Sequence, residues 1–186
     1  MADPRNLSAY AAPLRALHWL MAAIIFTAIG LGVSAINLPR GTPLRVELLE
    51  LHKSLGVTAL ALVVLRLAVR LLSRTPPYRP PLGRLNHLAA SAAHGLIYVV
   101  MFAMPLSGYV HSMAGKHGFR WFGLFPVPSF VAPSEIADVG AGKAHYALAI
   151  LLGALLTAHV LAAIWHARVR RDAVFQRMWP AAPARG

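Results

Sequence analysis

The sequence predicts an all-α integral membrane protein, a four-helix bundle with both termini in the cytoplasm. Three observations carry this expectation. Apolar residues make up 58% of the chain and charged residues 13%, a balance foreign to soluble domains. The apolar residues fall into four blocks, each near the ~20 residues that cross a bilayer. The basic residues divide unevenly between the connections, as they do in helical membrane proteins oriented by the positive-inside rule. At 186 residues the chain suits one domain, read here as 1–186.

The first span is expected over 14–36, the second over 52–72, the third over 88–110 and the fourth over 145–167. The segment MADPRNLSAYAAPLRALHWLM lacks a convincing small-residue cleavage site, so the first block reads as a retained helix and not a removed signal. Thr42 suits an N-cap and Pro43 a first turn, so the second helix starts before the membrane. SRTPPYRPPLG is a stiff, Pro-rich tether. Pro105, in FAMPLSGY, marks a kink in the third helix. The connection from about Ser112 to Ala144 is long and aromatic (GFRWFGLFPVPSF) and is expected to fold back over the outer face of the bundle.

Four spans put both termini on one side. Arg5, Arg15, Arg66, Arg70, Arg74, Arg79, Arg84, Arg168, Arg170, Arg171, Arg177 and Arg185 belong to that side, twelve of the 18 basic residues. Arg40, Arg45, Lys53, Lys116, Arg120 and Lys143 belong to the other. The excess places the termini in the cytoplasm. It also accounts for most of the net charge of +12 without nucleic acid. There is no cysteine, which excludes disulfides, thiolate clusters and covalent haem attachment through C-x-x-C-H.

Histidines interrupt this apolar frame. His145 and His159 stand 14 residues apart in the fourth helix, which puts them on one face and about 21 Å apart along the axis. His166 follows on almost the same face, about 10 Å nearer the cytoplasm. Ionisable groups in a membrane face the bundle interior and need partners. By depth, His52 matches His145 and His18 matches His159. Two facing imidazole pairs at two depths suit bis-His haem iron. Without cysteine, such haem is noncovalent and b-type, and two haems make an electron path through the membrane. Gly30, Gly32, Gly56, Gly153 and Ala154 are small enough to let a flat macrocycle approach the helices.

Spacing alone leaves competitors. A lone membrane histidine is more often a structural hydrogen bonder than a ligand. His94 lies near the depth of His18, and His111 lies at the outer end of the third helix. Those two are about 100° off a common face, so one helix does not easily serve both sites. His87 and His117 read as interfacial or loop residues, and Trp19, Trp121, Trp165 and Trp179 as interfacial belts. The spans hold no carboxylate pair, phosphate loop or nucleophile motif, so hydrolysis and phosphoryl transfer have no machinery.

ALHWLM opening the first helix, LHKSLG opening the second span, VVLRLAVRLLSRTPP closing it, and AHYAL with TAHVLAAIWH in the fourth resemble the bacterial cytochrome b-561 family. The resemblance runs from about Leu14 to Pro180. It implies a four-helix dihaem cytochrome of the bacterial inner membrane. It carries the ligand role onto His18, His52, His145 and His159, and sets His94 and His111 aside. One branch of that family passes electrons from superoxide, through an outer and an inner haem, to ubiquinone.

Under that resemblance, six basic residues against four acidic ones (Glu47, Glu50, Glu135 and Asp138) steer a small anion to the outer end. Lys53, beside His52, is the candidate to act on it directly. His166, at headgroup level, is the candidate to hydrogen-bond a quinone or supply its proton. Arg84 and Ser91 are weaker candidates for the same region. The surrounding partner is membrane lipid, and no obligate protein partner is evident. Two rival functions stay open. One is a haem-bearing anchor between a dehydrogenase or hydrogenase subunit and quinone. The other is a colourless His-based metal or proton transporter, disfavoured because the spans lack acidic residues.

Overall fold

The structure is a computed structural model that describes residues 9–73, 83–172 and 174–179, the side chains of Arg84 and Leu85 excepted. Arg5, Arg74, Arg79, Arg185, the body of the Pro-rich tether and the Arg84 side chain therefore lie outside the described residues. Four long helices carry the chain: α1 (Ala12–Ile36), α2 (Pro43–Leu72), α3 (Arg84–Ala114) and α4 (Glu135–Trp165). All four are long and apolar enough to cross a membrane. A two-stranded hairpin, β1 (Arg120–Trp121) and β2 (Phe125–Pro126), stands between α3 and α4.

The expected spans fall inside these helices, with two differences at the ends. First, α4 begins ten residues before His145 because Ser134 caps it. The Ser134 hydroxyl accepts the Ala137 N–H at 3.2 Å, and Glu135 and Asp138 sit in the first turn, where the helix dipole favours them. Second, α4 stops at Trp165. His166–Arg170 form a wider π-helical turn, closed by Arg171 at φ 51°. Thr42 does precede α2, but its hydroxyl donates to Pro39 O at 3.0 Å and makes no cap bond to the helix. Arg45 performs the joining role instead, donating to Ala35 O and Leu38 O at the end of α1.

Close backbone packing pairs α1 with α2 and α3 with α4, with a smaller contact between α2 and α3. The bundle is thus two helical hairpins laid side by side. Leu14, Met21, Ala35, Val63, Val100 and Leu152 are buried between the helices. Most other apolar side chains face outward, as a lipid environment requires. At one end the start of α1 meets residues 177–179. Tyr10 N–H donates to Arg177 O, Arg15 Nη1 to Trp179 O at 3.1 Å, and Trp19 Nε1 to Met178 O at 2.8 Å. This is called the terminal end below.

The opposite end carries the long connection. Phe122 and Gly123 both take positive φ (47° and 75°), as the tight turn of a hairpin demands. Arg120 N–H donates to Glu50 Oε2, Phe122 N–H to Ser54 Oγ, and Trp121 Nε1 to Thr58 Oγ1 at 3.1 Å. Glu50, Ser54 and Thr58 form one stripe of α2, turned roughly 160° from His52. The connection folds back as expected, but onto the flank of α2.

Candidate functional site

The hairpins meet through histidines. His18 of α1 faces His159 of α4 with ring centroids 6.1 Å apart, and His52 of α2 faces His145 of α4 at 6.0 Å. An imidazole nitrogen lies about 1.1 Å from its ring centre and binds a metal at about 2.0 Å, so two rings on one metal have centres ~6 Å apart. Both pairs stand at that separation. The rings cross the boundary between the hairpins, where the helices are not closely packed. Between them, an apolar cleft runs from His52 and His145 past Gly56, Met101 and Leu152 to Met21, three residues beyond His18.

The rings at the β-hairpin end are tightly set. His52 Nδ1 lies 2.8 Å from Ala28 O, and His145 Nδ1 lies 3.0 Å from Met104 O. A carbonyl only accepts, so each Nδ1 carries the proton and each Nε2 is left as the free lone pair. Glycine makes the space. A Cβ at Gly32 would come within 3.0 Å of the His52 ring, and one at Gly108 within 2.8 Å of the His145 ring. Gly56 has nothing within 4 Å of where its Cβ would stand. Paired neutral nitrogens, apolar walls and no carboxylate fit a haem and not a hard cation. Among the described residues, no group of three or more His, Asp or Glu side chains is arranged to hold a bare ion.

The terminal pair has a third neighbour. The His94 ring stands 5.8 Å from that of His159. His94 is exposed, and its Nδ1 is tied at 2.6 Å to Ala90 O of its own helix. His111 instead lies 2.6 Å from a carboxylate oxygen of Asp138 and 3.1 Å from its carbonyl, against the backbone of Gly142. His166 does not stand free: its Nδ1 lies 2.6 Å from Asp172 Oδ2, which Arg170 also approaches at 3.4 Å. Ser91 is exposed on α3.

The basic residues of the β-hairpin end are largely engaged. Lys53 Nζ donates to His117 O at 2.9 Å and lies over the Phe119 ring. Arg120 donates to Gly123 O and Leu124 O, and Arg45 closes α1. Arg40, Lys116 and Lys143 are exposed. Two residues of the site were missed in the sequence. Gly108 looked like any membrane glycine, and Arg66 counted only as a topological charge. Arg66 is 7% exposed and donates to Leu14 O. An arginine amid VVLRLAV was itself a signal, since a span tolerates a charge only with a partner.

Comparison with known proteins identifies the family. The family model described as prokaryotic cytochrome b561 matches residues 9–181. The chain is 32% identical to cytochrome b561 homolog 2 of Escherichia coli (strain K12), over 88% of this chain and 87% of that one. It is 28% identical to cytochrome b561 homolog 1 of the same organism, over 88% and 93%. It is 27% identical to the probable superoxide oxidase CybB of Yersinia pestis, over 88% and 92%. The chain belongs to the prokaryotic cytochrome b561 family, whose members are membrane electron-transfer proteins with b-type haem. The resemblance read from its motifs is borne out.

Proposed function

From that membership and the two histidine pairs, we propose that this protein is a dihaem b-type cytochrome of the bacterial inner membrane. It moves electrons from superoxide outside to ubiquinone near the cytoplasmic face. The observation that carries the reading is the pairing itself: His18 with His159 and His52 with His145, at ligand separation and at two depths of one bundle. Each pair would hold one haem iron through an imidazole nitrogen from either side. Bound there, the haems supply one-electron redox chemistry at both faces and a path between them. The basic excess at the terminal end supports a cytoplasmic position for both termini.

The residues around each pair have separate work. The bonds from His52 to Ala28 and from His145 to Met104 hold both rings in the tautomer that presents Nε2. Lys53, next in sequence to His52, places a cation at the outer end while bracing the connection through His117 O. It favours the approach of a small anion. At the terminal end, Asp172 orients His166 and leaves its Nε2 for a quinone carbonyl. Two superoxide anions lose one electron each to become dioxygen. One quinone takes the two electrons and two protons to become quinol, and His166 is placed to deliver a proton.

The decisive experiment is a reduced-minus-oxidised spectrum of the purified protein with haem counted per chain. Two b haems are expected, falling toward one in His18→Ala and in His52→Ala. Superoxide with ubiquinone is then the substrate pair to assay. A colourless protein would return the histidines to a transport role, and stoichiometric copurification of a dehydrogenase or hydrogenase subunit would favour the anchor reading.

A further inference from the structure

Arg66 is a cation buried in a membrane span without a carboxylate partner among the described residues. It is 7% exposed, so its side chain does not snorkel to the headgroups. Nη1 donates to Leu14 O at 2.5 Å. In α1 that same carbonyl receives the backbone N–H of His18, four residues on, so the guanidinium sits one turn from His18. A guanidinium has five N–H donors, and Leu14 O is the acceptor that the described residues provide. No described acidic residue is near enough to pair with it. Asp172 is held by His166 and Arg170, while Glu47, Glu50, Glu135 and Asp138 belong to the other end of the bundle.

A second guanidinium adds to the imbalance. Arg15, adjacent to Leu14, donates Nη1 to Trp179 O, and its Nε is buried without a hydrogen-bond partner. Two cations at one end of an apolar bundle repel each other and resist desolvation unless an anion joins them.

We propose that Arg66 binds a carboxylate of the cofactor held between His18 and His159. This rests on the haem reading given above, since haem b carries two propionate carboxylates on its rim. A guanidinium takes a carboxylate through two parallel N–H···O bonds, and burial strengthens them. Arg66 would thereby orient the macrocycle held between His18 and His159, and Arg15 would lend the second positive charge.

The test uses the full-length protein, stripped of haem and titrated with haem b or with its dimethyl ester, which lacks both carboxylates. Wild type, Arg66→Met and Arg66→Lys are compared. Each is also placed in a His52→Ala background, which leaves only the pair at the terminal end. Wild type is expected to bind haem at least about tenfold tighter than the ester at that site. Arg66→Met is expected to bind the two alike, and Arg66→Lys to keep part of the preference. An undiminished preference in Arg66→Met, or none in wild type, overturns the proposal. So does loss of copurified anionic phospholipid from Arg66→Met with the preference unchanged, which would assign Arg66 to a lipid phosphate. Should Arg66→Met fail to fold, Arg66→Lys against wild type carries the comparison. A wild-type chain that takes up no haem is a different result and removes the haem reading itself.

Discussion

The backbone of Gly108 lies against the ring of His145, so close that a Cβ there would meet Cε1 at 2.8 Å. Real Cβ atoms do not approach so near, and the ring is held from the other side by Met104 O at 3.0 Å. Gly108→Ala should therefore turn His145 off axis and cost most of the haem at that site, seen as haem per chain falling toward one. Alanine raises helix propensity by about 1 kcal/mol, so a loss here cannot come from the helix itself. Gly32→Ala, at 3.0 Å from His52, should do less, and Gly30→Ala, with open space around it, should leave haem binding unchanged.

His18 and His94 compete for His159, at 6.1 and 5.8 Å. His94 is exposed and tied to its own helix, whereas His18 lies beside the buried Arg66 contact. His18→Ala is expected to remove one haem and His94→Ala none, by pyridine haemochrome assay. Retention of two haems in His18→Ala, with loss in His94→Ala, would exchange their roles.

Asp172 holds His166 at 2.6 Å inside a π-helical turn. His166→Ala should slow quinone reduction by the pre-reduced cytochrome by about 100-fold, the low end of general acid catalysis. Asp172→Asn, which keeps the acceptor but not the charge, should slow it by about tenfold. Haem content should not change in either. Equal rates in all three proteins would make the pair a structural tie of the tail.

Lys53 combines a charge with a brace. Lys53→Gln keeps a donor for His117 O and removes the cation. The rate of haem reduction by superoxide should then fall about threefold at low salt, with the difference closing near 0.5 M salt, where screening is strong. Lys116→Gln, exposed in the connection, is the control for a diffuse effect. A salt-independent loss in Lys53→Gln would point to the brace instead.

The helices were legible because hydropathy in blocks of membrane length is a one-dimensional signal, and depth follows from rise per residue. That is why His52 could be matched with His145 and His18 with His159 from counting alone. Counting gives depth, and azimuth only within one helix, so it could not say that His94 also turns toward His159 on another. The start of α4 was placed ten residues late because the Ser134 cap lies in a stretch read as loop. The hairpin rests on Trp121 reaching Thr58, a contact across 63 residues that no local pattern announces. His166 looked free because Asp172 meets it only through the wide turn and the left-handed Arg171 that follow α4. Gly108 and Arg66 owe their importance to neighbours on other helices.

The side-by-side arrangement of α1–α2 and α3–α4 also bears on biogenesis. Lipid tails are as apolar as leucine, so little presses two such halves together in a bilayer. Each hairpin can be inserted on its own, and the imidazoles on opposite halves act as the late clasp. A gene cut within codons 74–82 should then yield two fragments that accumulate separately in a haem-deficient host and join when haem is supplied. Maturation of this protein would be governed by cofactor supply, with unclasped halves left to the membrane's quality-control proteases.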